Sequence, residues 1–271
     1  MIYLWRIFRD AYNGFSVRGG DVQAGYVAYA MLLAIFPFLI FAVSLSGLFI
    51  GEERSEQAVA VLFDFAPAYL AEVLEPILVE VLEGSHGVFT VFIILAVWAA
   101  MRAVEAINRA FDTTYGDRGG AVWLWRKAKA LVTVFVAAIV AVALGISILL
   151  APLIVSFIEG NTILRAPENF TFIRYLFGTV IFFLFLCALH WFLPNQHAEG
   201  FPIWPGALFS TVAWLTMATG MSVYLAYSGS YDLTYGALAG IVITILFLYF
   251  SAAIIIFGAE LNAAVKAQAS R

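Results

Sequence analysis

Apolar residues run along this chain in long blocks, and the charged residues collect in the stretches between them. A hydrocarbon layer about 30 Å thick takes roughly 20 apolar residues of helix to cross. The windows that meet this length are Tyr26 to Ile50, Val88 to Ala110, Leu131 to Ile158, Ile173 to Leu193, Ile203 to Tyr227 and Tyr235 to Val265. The pattern predicts an all-α fold, a polytopic membrane helix bundle of about six transmembrane helices. Residues 1–271 are read as a single integral membrane domain.

Two further segments carry apolar residues at helical spacing without the length to span. In residues 1–20, Ile2, Trp5, Phe8, Ala11, Tyr12 and Phe15 share a face while Arg6, Arg9 and Asp10 fall elsewhere. That division suits an in-plane helix on the cytoplasmic membrane surface. Residues 52–85 repeat Val59, Leu62, Phe63, Ala66, Tyr69, Leu70, Val73, Leu74 and Ile77 on one side, with Pro67 and Pro76 each able to open a helical turn. They predict an external amphipathic helical cap, acidic on its wet side, which either covers a cavity mouth or packs on the bundle.

Basic residues decide orientation. Arg6, Arg9 and Arg18 precede the first window, Arg118, Arg126, Lys127 and Lys129 lie between the second and third, and Lys266 and Arg271 follow the last. The connection after the first window has Arg54 against Glu52, Glu53, Glu56, Asp64, Glu72, Glu75, Glu80 and Glu83. Both termini are therefore expected in the cytoplasm of a bacterial cell, with the chain multi-pass in the inner membrane. Residues 1–20 lack the uninterrupted apolar stretch of a cleavable signal, so the first span is expected to act as its own insertion signal.

Composition agrees with lipid as the solvent: 63% of the 271 residues are hydrophobic and only 12% charged, where a soluble domain carries about 25% charge. A net charge of -4 is too small to suggest a nucleic-acid partner. Membrane lipids are the expected surroundings. Within the first window Pro37 removes a helix hydrogen bond and predicts a kink. Ala24, Gly25 and Ala28, and the Gly236/Gly240 pair, mark places where helices can approach closely.

Charge inside a span is expensive, so each such group is a candidate for function. Arg102, Glu105 and Arg109 sit in the inner half of the second window, with Asn108 and Asp112 beside them. Intervals of three and four make these residues neighbours on a helix. Glu260 stands at the inner end of the last window, followed by Asn262. At equal depth, Glu260 is expected to pair with Arg102 or Arg109. The set is either a structural ion-pair clamp or a polar binding or gating site whose arginines line it for an anionic group. His190 could relay protons, although such a histidine is more often simply hydrogen-bonded.

Several chemistries find no residues. The lone Cys187 allows no intramolecular disulfide or thiolate cluster, and His86, His190 and His197 have no metal-ligand spacing. Neither a phosphate-binding Gly-rich loop ending in Lys and Ser or Thr, nor a Gly-x-Ser-x-Gly elbow, is present. No catalytic residue, metal site or cofactor is expected.

Gly25-Tyr-Val-Ala-Tyr-Ala-Met-Leu-Leu-Ala-Ile-Phe-Pro-Phe38 resembles the opening helix of the YihY/virulence factor BrkB family. So do Ala106-Ile-Asn-Arg-Ala-Phe111, Leu193-Pro194 followed by Pro205-Gly-Ala207, Tyr235-Gly-Ala-Leu-Ala-Gly240 and Gly258-Ala-Glu-Leu-Asn262, in family order over nearly the whole chain. The resemblance implies a six-span inner-membrane protein from a family once labelled ribonuclease BN, a label regarded as a misassignment. Members have been associated with serum resistance, and transport of envelope lipids or other anionic amphiphiles has been suggested for them.

Two functions are weighed. The first is a transporter or exporter of an anionic amphiphile, a lipid or nucleotide-like solute, through a cytoplasm-facing polar site. The second is a non-catalytic scaffold for envelope-assembly partners, acting through residues 52–85. A homo-oligomer or an envelope protein partner is compatible with either, and ribonuclease activity is not expected.

Overall fold

A computed structural model describes residues 2–50, 86–116, 123–145, 170–194, 202–227 and 237–269. The external cap expected over 52–85 and Gly236 lie outside them, as do His197 and residues 146–158 of the third window. Among the described residues there are seven α-helices and no strand. They are α1 (Ile2–Val17), α2 (Gly20–Ile50), α3 (His86–Tyr115), α4 (Trp123–Gly145), α5 (Phe170–Phe192), α6 (Trp204–Tyr227) and α7 (Ala237–Ala269).

The described part of each of the six apolar windows falls on a helix, from α2 to α7. Among the described residues, three helical stretches are long and apolar enough to cross a membrane: Phe170–Phe192, Trp204–Leu225 and Gly240–Ala269. The lower half of α3 carries Arg102, Glu105, Arg109 and Asp112, and the first two turns of α4 carry Arg126, Lys127 and Lys129. These charges set both helices apart from the other three. The chain is a helical membrane protein.

Local chemistry explains the boundaries. α1 ends in a tight reversal in which the Arg18 N–H donates to the Gly14 carbonyl (3.0 Å) and the Gly19 N–H to that of Ser16 (3.3 Å). Gly19 adopts φ +66°, a left-handed conformation that costs glycine little because it has no Cβ. α2 then runs through Pro37 as one helix; the side-chain surroundings of Pro37 lie outside the described residues. At the start of α6, Pro205 occupies the first turn, where its missing N–H takes nothing from the helix.

The chain divides into two compact units. The first comprises residues 1–21, 108–215 and 254–271. Here Ile7 and Ala11 of α1 are buried against Ala264, with Phe257, Leu261 and Val265 around them. Phe257 also gathers Phe8 and Phe209, each with ring centroids 5.2 Å away, and Phe15 at 5.9 Å. The amphipathic spacing of α1 thus resolves into an inner side on α7 and an outer side on which Leu4, Trp5 and Tyr12 are exposed.

The second unit comprises residues 22–107 and 216–253. Beside Val27 and Ile107, its buried positions include a set of alanines: Ala24, Ala28 and Ala30 on α2, and Ala96, Ala99, Ala103 and Ala106 on α3. Intervals of three and four keep the α3 alanines on one face, which lets backbones come together where hydrocarbon gives no hydrophobic drive. Gly25 is exposed rather than buried between helices, and Gly240 is half-buried.

Candidate functional site

The C-terminal half of α7 contains Phe257-Gly-Ala-Glu-Leu-Asn262, and the two polar side chains of this stretch are buried: Glu260 is 1% exposed and Asn262 0%. Burying an ionised carboxylate is tolerable only when charge and hydrogen bonds compensate it. Arg18, placed by the Gly19 turn, meets Glu260 with two nitrogens: Nε donates to Oε1 at 2.7 Å and a terminal nitrogen donates to Oε2. Thr114 of α3 adds its hydroxyl to Oε1 at 2.9 Å. Gly14 stands against the Arg18 and Glu260 side chains where a larger residue would collide with both. The fork of Arg18 on the carboxylate is the bidentate geometry in which such pairs are strongest, and it holds the Arg18 guanidinium further above its already high ordinary pKa.

Asn262 closes a second set of bonds. Its side-chain oxygen accepts from the Gly206 N–H at 2.7 Å, and its amide nitrogen donates to the Tyr115 hydroxyl and the Ile203 carbonyl, both at 3.3 Å. Gly206 on α6 and Gly258 on α7 permit this: a Cβ on Gly206 would strike the Gly258 carbonyl and the Asn262 amide, and one on Gly258 would strike Ser210 and the Gly206 backbone. The Ser210 hydroxyl donates to the Ile254 carbonyl at 3.1 Å. α6 and α7 are therefore joined by polar contacts at a crossing that admits no side chain.

The end of α5 is fixed in the same way. Asn108 donates its amide to the Leu193 carbonyl, and Lys129, only 5% exposed, donates to the Pro194 carbonyl at 2.8 Å. Lys129 also lies 5.7 Å from the Phe192 ring and 5.9 Å from that of Trp125, so its charge is met by a carbonyl and two aromatic faces. His190 is fully buried, stacked on Phe111 with centroids 4.8 Å apart, and neither ring nitrogen has a hydrogen-bond partner.

The residues singled out in the sequence thus separate. Glu260, Asn262 and Asn108 enter buried polar joints of the first unit. The expected pairing of Glu260 with Arg102 or Arg109 is replaced by Arg18, because the turn at Gly19 lays that guanidinium against α7. Arg102 is engaged on its own helix: its nearest carboxylate is Glu105 at 3.8 Å, three residues on, and its guanidinium lies 5.9 Å from the Trp98 ring. Its side chain remains 44% exposed. Arg109 is exposed and Asp112 half-buried. Among the described residues, no three His, Cys, Asp or Glu side chains gather as a metal site would need.

Arg18, Thr114, Tyr115 and Lys129 take part in these joints without having been singled out as partners. Arg18 and Lys129 had counted only toward orientation. The signal that could have found them is the lone Glu260 at the inner end of its span, which requires a cation, and Arg18 lies just before the first window.

Residues 11–271 match the family described as virulence factor BrkB. The chain belongs to that family. Among its BrkB-family relatives, the ribonuclease-like protein YfkH of Bacillus subtilis is 27% identical over 267 residues, covering 94% of this chain and 93% of its own. A UPF0761 membrane protein of Pseudoalteromonas translucida is 28% identical, over 90% of this chain and 81% of its own. One from Alteromonas mediterranea is 23% identical, over 88% and 80%. No solved structure matches the chain significantly. Two of the segments that resemble the BrkB family, Pro205-Gly-Ala207 and Gly258-Ala-Glu-Leu-Asn262, meet at the α6/α7 crossing.

Proposed function

We propose that this BrkB-family protein is a membrane carrier for an anionic amphiphile, a lipid or nucleotide-like solute whose headgroup is received by guanidinium groups of α3. It lies in the bacterial inner membrane with about six spans and both termini in the cytoplasm, as the distribution of Lys and Arg supports. It acts by binding and passage and not as an enzyme.

The observation that carries this reading is the exposure of Arg102 and Arg109 on a membrane helix. A guanidinium in hydrocarbon is costly, and a carboxylate 3.8 Å from Arg102 compensates it only loosely. Each arginine has five N–H donors in a planar fork suited to a phosphate or carboxylate. Their interval of seven residues nearly completes two helical turns, so a headgroup or successive headgroups can be handed along one side of α3. Glu260, bound by Arg18 and Thr114, fastens helices and is no longer part of the receiving set.

Native mass spectrometry of protein extracted with minimal detergent tests this. A defined anionic molecule stays bound to the natural protein and is lost when Arg102 and Arg109 are replaced by Gln. Retention unchanged in a folded double variant would remove α3 as the receiving site.

A further inference from the structure

Within the first unit, α4, α5 and α6 enclose an open-sided cavity of about 330 Å³. Small residues keep it open: Ala141 on α4 and Gly178 on α5 line it, and Gly178 has only the Leu144 methyl near the place a Cβ would occupy. Phe182 and Trp214, whose rings meet at 4.9 Å, form an aromatic wall. On α5 the lining runs from Tyr175 to Phe185, a length of about 15 Å along the helix axis.

The polar end of this groove is equally specific. Tyr175 is 54% exposed at the mouth, five residues into a helix apolar enough to span. The Arg174 guanidinium lies 4.7 Å from its ring centroid, so a cation stands beside the opening, near the start of α5, while His190 and Leu193 mark the other end of that helix. The groove's lining, almost all hydrocarbon, and its run along α5 suit an extended acyl chain. An apolar hollow on a membrane helix stays dry and leaves its walls without contacts unless hydrocarbon enters it.

We propose that this groove binds one acyl chain of an anionic phospholipid, with the lipid phosphate paired to Arg174. The site is built from α4, α5 and α6 and does not rest on the proposed role of the α3 arginines.

The test uses the full chain in nanodiscs of phosphatidylcholine doped with a phosphatidylglycerol whose acyl tail carries a photoreactive diazirine. Mass spectrometry of the photolysed protein is expected to place adducts on Val140, Ala141, Leu144, Gly178 and Phe182, which line the groove, in preference to Phe135, Ile139 and Phe172, which are exposed outside it. A matched phosphatidylcholine probe should label the groove about tenfold less, because Arg174 meets a net anion in one headgroup and in the other a phosphate already offset by its own choline cation. Arg174→Gln should erase that preference while leaving groove adducts. Ala141→Trp, at an exposed position, should fill the groove and remove them, and replacing Arg102 and Arg109 by Gln should change neither result. Adducts spread evenly over all lipid-facing positions of the natural protein overturn the site, and equal labelling by the two headgroups overturns the role of Arg174.

Discussion

Glu260 on α7 and Glu105 on α3 are the same acid on two long helices, and the structure treats them differently. Glu260 is 1% exposed and receives hydrogen bonds from the α1/α2 turn and from α3. Glu105 faces Arg102 on its own helix at 3.8 Å, across a pair whose arginine is 44% exposed. The first arrangement joins elements remote in sequence; the ion pair of the second spans one turn of a single helix. Charge within a span is therefore not one kind of signal. Where its partners come from several elements it holds the fold, and an exposed cation is what the proposed carrier would offer an anionic ligand.

The sharpest way to break this comparison is Arg18→Ala. Removing one partner of a buried pair leaves an uncompensated charge and costs about 3–5 kcal/mol, so the detergent-solubilised variant should lose most of its thermal stability, measured by fluorescence-detected size exclusion. Glu260→Gln added to Arg18→Ala should recover much of the loss. A single variant that melts like the natural protein would show that Glu260 fastens nothing.

The α6/α7 crossing comes next. Gly258→Val drives a branched side chain into Ser210 and the Gly206 backbone and should cost about 1–3 kcal/mol by overpacking. Asn262→Ala orphans the buried Gly206 N–H and should cost about 1–3 kcal/mol. Both are read by the same melting assay, and an unchanged transition for both would mean that the crossing is looser than its geometry.

On the other side of the comparison, Arg102→Gln should change stability by less than about 1 kcal/mol, because exposed ion pairs contribute little, while weakening retention of an anionic ligand. A large loss of stability with no loss of ligand would reverse the assignment of the two carboxylates. The smallest effect concerns alkali. A cation whose folded pKa is raised contributes stability below its unfolded pKa and loses it only as pH rises through the folded value. For Arg18, raised chiefly by its bond to Glu260, that window lies above about pH 12. Melting temperature followed from pH 7 to 10 should show no step attributable to this pair.

Much of the fold was legible because its signals are local. The described part of every apolar window lies on a helix, and the spacing in residues 2–17 marks α1, although Trp5 and Tyr12 of the face it predicts are exposed while Ile7, outside that face, is buried with Ala11 against α7. The alanine face at Ala96, Ala99, Ala103 and Ala106 was equally present as intervals of three and four, yet went unmarked because alanine is common in helices and only its burial sets these positions apart. The site was legible by residue type and not by partner: Glu260, Asn262 and Asn108 stood out as polar groups near or within spans, and the structure buries all three.

Sequence by itself determined the class of this protein, since the length of an apolar run and the distribution of basic residues can be read without knowing any contact. It also determined which groups lipid would make costly. Only the tertiary structure decided that Glu260 meets Arg18, 242 residues away, and that Arg102 stays on its own helix. That choice rests on the reversal at Gly19 and on the close crossing of Gly206 and Gly258, because a buried carboxylate takes whichever cation the backbone can bring within hydrogen-bond reach.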